Sequence, residues 1–133
     1  MGTRADFYVG RGENAEWLGS IAYDGYPDGP RPAAALEATT EASFRDRVVA
    51  ALRHDDGTKP ENGWPWPWDT SHTTDYAYAF DGGTVYISCF GCAWYMAGEE
   101  PPDDNDKSAV FPNMKDRKNV TFGLRSGLLI LRG

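Results

Sequence analysis

Residues 76–90 constrain this chain more than any other stretch. Tyr76-Ala77-Tyr78-Ala79-Phe80 alternates large and small side chains, the period-2 pattern of a strand whose two faces meet different neighbours. Asp81-Gly82-Gly83 follows and supplies the positive-φ freedom that a tight hairpin turn requires. Thr84-Val85-Tyr86-Ile87-Ser88-Cys89-Phe90 then returns as the partner strand. A chain built on such a hairpin must cover a sheet face with something apolar.

Other segments supply more strand and one cover. Asp6-Phe7-Tyr8-Val9 is rich in β formers, and a Gly10–Asn14 turn leads into Glu16–Tyr23, which reads as a second strand. Simple alternation puts Trp17, Gly19, Ile21 and Tyr23 on one face. Asp24–Pro32 reads as loop, since its three Pro and two Gly can sustain neither a ladder nor a helix. The clearest helix runs from about Glu41 to about Arg53. Thr39 or Thr40 can cap it, Glu41 suits its positive end, and Gly57 stops it. Phe44, Val48 and Leu52 recur at i, i+4, i+8 with Ala51 beside them, so one stripe is apolar and packs on the sheet. Asp55–Asp69 reads as polar loop, Glu99–Asp106 as an acidic loop expected to be mobile, and Asn119–Phe122 and Leu128–Leu131 as short strands around a Gly123–Gly127 turn. The expected architecture is a single α+β domain over residues 1–133. Its sheet is mainly antiparallel, in the order β-β-α-β-β plus short C-terminal strands, with one helix packed on a face.

Length and charge bound the function. A chain of 133 residues holds one core, and aromatic residues at 14% give it much area to bury. The longest apolar run, Leu128–Leu131, is far short of a membrane span, and the first residues carry no apolar signal segment. A cytoplasmic location, with no membrane partner, is therefore expected. Residues 1–106 hold seven Lys/Arg against nineteen Asp/Glu (−12) and residues 107–133 hold six against one (+5), giving the net −7. Such a balance argues against direct, general nucleic-acid binding, which needs cations along the phosphate path.

Several patterns suggest chemistry and have plainer explanations. Cys89-Phe90-Gly91-Cys92 could be a redox pair or half a zinc site, but His54 and His72 have no paired spacing, and Gly98, Pro101 and Pro102 curtail any following helix. Two reduced, mostly buried thiols is the favoured reading. His72 between Asp69 and Asp75 could be drawn as a hydrolytic dyad; without a nucleophile elbow, a capped Ser/Thr-rich loop is favoured. Gly10-x-Gly12 lacks the third glycine of a dinucleotide fingerprint, and the Asn119-Val120-Thr121 sequon has no meaning without secretion. No catalytic residue, metal or cofactor is assigned.

The least ordinary segment is Trp64-Pro65-Trp66-Pro67-Trp68. Proline fixes φ and removes donors, so the row is stiff and extended, and successive rings turn different ways. Two readings stay open. The indoles form a stacking platform for a base, a sugar or a partner side chain, or they fold over the sheet as a lid. Met114–Asn119 is a short basic cluster able to grip phosphate. The candidate binding residues are Trp64, Trp66, Trp68, Lys115, Arg117 and Lys118.

Taken together, Gly2–Gly10, Glu16–Ser20, Gly63–Trp68, Tyr76–Gly83 and Ser126–Leu128 resemble a family of small uncharacterised proteins of tailed phages and prophages. The resemblance spans most of the chain and implies a phage accessory protein acting in a bacterial cytoplasm. It carries no activity. By analogy with accessory proteins of this size, the leading expectation is a non-enzymatic, anti-CRISPR-like inhibitor of a bacterial anti-phage defence. Its partner would be a host defence protein blocked by the acidic surface, or a nucleotide signal held between indoles and the basic segment; a homo-oligomer is compatible with either. The alternatives are a structural or morphogenetic phage component and a small hydrolase using His72.

Overall fold

The computed structural model describes residues 2–117. Strands β1 (Ala5–Val9) and β2 (Glu16–Ile21) form the first hairpin, and helices α1 (Pro30–Leu36) and α2 (Glu41–Ala51) follow. A two-residue β3 (Gly57–Thr58) precedes β4 (Tyr76–Asp81), β5 (Thr84–Cys89) and β6 (Tyr95–Met96), with a short α3 at Met114–Arg117. The strands make one six-stranded sheet in the order β3-β2-β1-β4-β5-β6. Every neighbouring pair is antiparallel except β1 and β4, which run parallel in the register Ala5↔Tyr76 to Val9↔Phe80. The fold is α+β, as the patterning indicates.

The cover differs from the expected single helix. Proline in the first turn of a helix removes no needed hydrogen bond, and its fixed φ suits the helix. Pro30 and Pro32 therefore start α1 instead of prolonging the loop read over Asp24–Pro32. The second helix begins at Glu41 under a Thr40 cap, whose hydroxyl accepts from the Ser43 N–H at 3.1 Å, and ends at Ala51, two residues before the expected Arg53. Its stripe of Phe44, Val48, Ala51 and Leu52 is buried. The crossover through α1 and α2 brings β4 alongside β1 in parallel, since parallel neighbours need a long connection. The expected strands at 119–122 and 128–131 lie outside the described residues.

The two sheet faces have different covers. Ala5, Phe7, Ile21, Tyr78, Phe80, Val85 and Ile87 pack against Ala35, Ala38, Phe44, Val48 and Leu52 on the helical side. Tyr8, Ala15, Trp17, Ala77 and Ala79 pack on the other side against Ala109, Phe111 and Met114, with Trp64 and Trp94 half-buried beside them. The large–small alternation of β4 explains the division: Tyr78 and Phe80 fill the helical core, and Ala77 and Ala79 leave a shallow shelf for rings from the loops. One expectation about faces fails. Trp17 and Ile21 lie on opposite faces, because the register slips between Phe7/Gly19 and Tyr8/Trp17. This bulge inserts one residue and reverses the alternation. Gly19 sits there at φ +147, with Leu52 and the Thr58 carbonyl so close that a Cβ would collide with both.

Candidate functional site

The tryptophan row crosses the loop-covered face. Gly63 at φ +87 turns the chain into it, a conformation that favours glycine. The three indoles are half-buried while Pro65 and Pro67 are exposed. Each ring nitrogen is directed into the protein. Trp64 Nε1 donates to its own row, to the Trp68 carbonyl at 2.6 Å, and Trp68 Nε1 donates to Thr74 Oγ1 at 2.8 Å. Trp66 Nε1 donates to Asp6 Oδ1 at 2.7 Å. Trp64 meets Trp17 edge-on at 5.2 Å between centroids.

Asp6 is the hub beneath the row. It is the second residue of β1, completely buried. Besides Trp66, its carboxylate accepts from Ser20 Oγ on β2 and from Ser71 Oγ in the following loop, both at 2.6 Å. Trp17 Nε1 in turn donates to Ser20 at 3.0 Å, and Tyr8 shares a 2.6 Å hydrogen bond with Ser71. Burial pushes the Asp6 carboxyl above its ordinary value, and the hydrogen bonds from Ser20, Ser71, Trp66 and Thr74 oppose that shift. A buried acid is tolerable only when its lone pairs are used, and here the donors come from β2, the indole row and the loop that follows it.

Trp66 and Trp68 stack on each other, with centroids 5.5 Å apart and planes 18° from parallel. A base inserted between them would need about 7 Å, twice the usual contact distance, so a ring ligand meets only their outer faces or edges. The Arg4 guanidinium stands 5.8 and 5.6 Å from the two ring centroids. Arg4 lies immediately before β1, so the strand that carries Asp6 under the row also carries a cation beside it.

The other candidate residues are placed unequally. The Met114 N–H donates to the Asp69 carbonyl at 2.8 Å, and Lys115 Nζ lies 3.3 Å from Asp69 Oδ1, which brings the start of α3 to the end of the row. The side chain of Arg117 and all of Lys118 lie outside what the structure describes. His72 forms no dyad with Asp69 or Asp75: Nδ1 faces Thr70 Oγ1 at 2.9 Å and Nε2 faces the Ala109 carbonyl at 2.8 Å. Its ring stands edge-on to Phe111, joining the two loops that cover this face. Asp69 pairs instead with Lys115, and Asp75 with Arg4. Cys89 and Cys92 are free thiols, half-buried and buried respectively, and Cys92 Sγ accepts the Cys89 N–H at 3.0 Å. Among the described residues no three His, Cys, Asp or Glu are grouped to hold a metal ion, and no helix is long and apolar enough to cross a membrane.

Sequence reasoning missed Asp6 and Arg4. The signal for Asp6 was a lone carboxylate inside the β-forming run Ala5–Val9. Arg4 carried none, because its role depends on where the distant row folds. No protein-family model matches the chain, and neither a curated protein nor a solved structure matches it.

Proposed function

We propose that this chain is a phage-encoded, non-enzymatic binding protein that blocks a nucleic-acid-binding effector of bacterial anti-phage defence by presenting an acidic surface. The observation that carries this reading is how the charges are distributed. Arg4, Arg11, Arg31, Arg45, Arg47 and Lys115 are each paired with a carboxylate of the same chain. The cations thus neutralise part of the acid internally. Glu99, Glu100, Asp103, Asp104 and Asp106 remain exposed on one loop, with no cation in salt-bridge range among the described residues. Closely spaced carboxylates on one loop present a charge density of the kind a phosphate-binding groove attracts. The phage origin rests on the sequence resemblance.

The test is inhibition of purified CRISPR effector complexes and other defence nucleases at increasing salt. Inhibition should weaken steeply with salt, and neutralising the five loop acids should slow association. Inhibition indifferent to both, or absent against every such effector, overturns the reading. A second reading, sequestration of a nucleotide signal, draws on the Arg4 guanidinium beside the Trp66–Trp68 stack. Mass spectrometry of small molecules released from protein purified out of infected cells tests it.

A further inference from the structure

A cleft of about 370 Å³ opens at the end of the sheet where β1 and β4 begin and β5 ends, lined by Gly2, Thr3, Arg4, Asp75, Tyr76, Cys89 and Phe90. Phe90 is its most unusual wall. The residue holds φ +50, a conformation rarely adopted by a bulky side chain, and it is 48% exposed. Strain and an exposed aromatic ring are both unfavourable, and both are held in place. The Phe90 N–H donates to the Asp75 carbonyl at 3.1 Å, Cys92 N–H closes the turn onto the Cys89 carbonyl at 3.0 Å, and Gly91 lies tightly against His72. The backbone that carries the ring is therefore fixed before a partner arrives, which lowers the ordering cost of a contact there.

The facing wall carries the loosely held Arg4–Asp75 pair. Asp75 Oδ2 accepts the backbone N–H of Arg4 at 2.9 Å, while the Arg4 guanidinium approaches that oxygen only to 3.8 Å and stands beside the two indoles. Asp75 Oδ1 has no hydrogen-bond partner among the described residues. The cleft thus offers an incompletely neutralised carboxylate oxygen near the aromatic rings of Phe90 and Tyr76. Burial pushes the Tyr76 phenol and the Cys89 thiol up, so neither adds charge at neutral pH.

We propose that this cleft docks an arginine side chain of a basic protein partner, with its guanidinium on Asp75 Oδ1 and its flat face against Phe90. Arginine fits better than lysine because a planar, weakly hydrated cation can stack on a ring and hydrogen-bond a carboxylate together. Arginine is also enriched at the energetic centres of protein interfaces. The net charge of −7 favours a basic partner over an acidic one. The inference rests on the proposed function, since a nucleic-acid-binding effector displays such arginines, and it names a contact separate from the acidic loop.

The test uses the full chain and blocked arginine (Nα-acetyl-arginine methylamide), with blocked citrulline as the uncharged isostere. In two-dimensional NMR, blocked arginine should shift the amides of residues 2–4, 75–76 and 89–91 saturably, and citrulline should not. Asp75→Asn should weaken binding at least about tenfold, the worth of a charged hydrogen bond. Phe90→Ala should weaken it about threefold through the lost cation–π contact. Both cleft variants must still unfold cooperatively; Phe90→Tyr, which keeps the ring, should bind like the parent. Equal shifts with citrulline, no saturable shift, or indifference to Asp75→Asn overturns the inference. Tighter binding of free arginine than of the blocked form would assign the cleft to an amino acid and overturn the protein partner. Effector inhibition that persists without arginine binding leaves the proposed function standing and removes only this cleft; arginine binding without inhibition does the reverse.

Discussion

Removing the Asp6 carboxylate should loosen the tryptophan row more than any change on the row's exposed side. In Asp6→Ala the hydroxyl donors can adapt: Ser71 can turn to Tyr8, 2.6 Å away, while Ser20 and Thr74 keep accepting from Trp17 and Trp68. The Trp66 N–H cannot turn, because it is fixed in the ring plane. At least one buried donor left unpaired costs about 1–3 kcal/mol, and the unfilled side-chain volume about 1 kcal/mol more, so a loss of at least about 3 kcal/mol is expected. Asp6→Asn keeps the volume and one oxygen. With that oxygen toward Trp66 and Ser20, its amide faces Ser71 and roughly one bond is lost, at about 1 kcal/mol. Urea unfolding followed by circular dichroism gives the two losses, and hydrogen exchange of the indole N–H reports on Trp66 itself. An Ala variant costing less than about 1 kcal/mol, with a Trp66 N–H that exchanges as slowly as before, would refute the argument.

The same residue fixes a pH signature. Burial raises the folded-state pKa of Asp6 above its unfolded value of 3.8, so the folded chain holds the proton more tightly. Ionising Asp6 then costs stability progressively as pH climbs from 3.8 through the folded value. The Asn variant escapes that cost. Its deficit against the parent should therefore be greatest at the acid end and shrink as pH rises. A deficit that grows with pH would mean that the four hydrogen bonds outweigh burial.

Three other changes have expected outcomes. Trp66→Phe keeps most of the ring and deletes only the donor to Asp6, so it should cost about 1–2 kcal/mol in urea unfolding and shift emission from the remaining tryptophans. Arg31→Met breaks a paired carboxylate that also joins α1 to the ends of β2 and α2: Arg31 donates to both Asp56 oxygens at 2.7 and 2.8 Å, to Tyr23 O at 2.8 Å and to Ala51 O at 3.1 Å. A loss of about 2–3 kcal/mol at pH 7 is expected. Arg31 holds the Asp56 carboxyl below 3.8, so the stability it brings is present above that value and disappears as pH falls through the folded one; the variant should lose less on acidification than the parent. Gly19→Ala places a Cβ against Leu52 and 2.7 Å from the Thr58 carbonyl at φ +147, and should cost about 2–4 kcal/mol by thermal or urea unfolding.

The sheet and its main helix were legible because their patterns are local. Tyr76–Phe90 carries alternation and turn within one stretch, and the α2 stripe repeats every four residues. Three features were not legible, each for its own reason. The bulge at Gly19 reverses the faces of β2, yet the close approach that requires glycine there is made by Leu52 and Thr58, more than thirty residues away. The first helix hides behind prolines, which break helices in the interior and start them at the first turn; composition does not distinguish the two positions. The parallel pairing of β1 with β4 was equally invisible, since nothing in either strand states which neighbour it will choose.

The tryptophan row was half legible for a related reason. Its stiffness and its excess of rings follow from the alternating prolines, and the rings are neither fully buried nor free. What decides its chemistry is the partner of each nitrogen. Trp64 bonds within the row and Trp68 bonds six residues onward, but Trp66 reaches sixty residues back to Asp6. Once all three N–H groups are committed inward, the outer surface of the row has ring faces and edges to offer, with Arg4 and Lys115 as the nearby cations. A ligand at the row must then be recognised by stacking and charge, with no indole hydrogen bond unless the Asp6 hub opens. Asp6 thereby limits what the row can bind as well as where it lies.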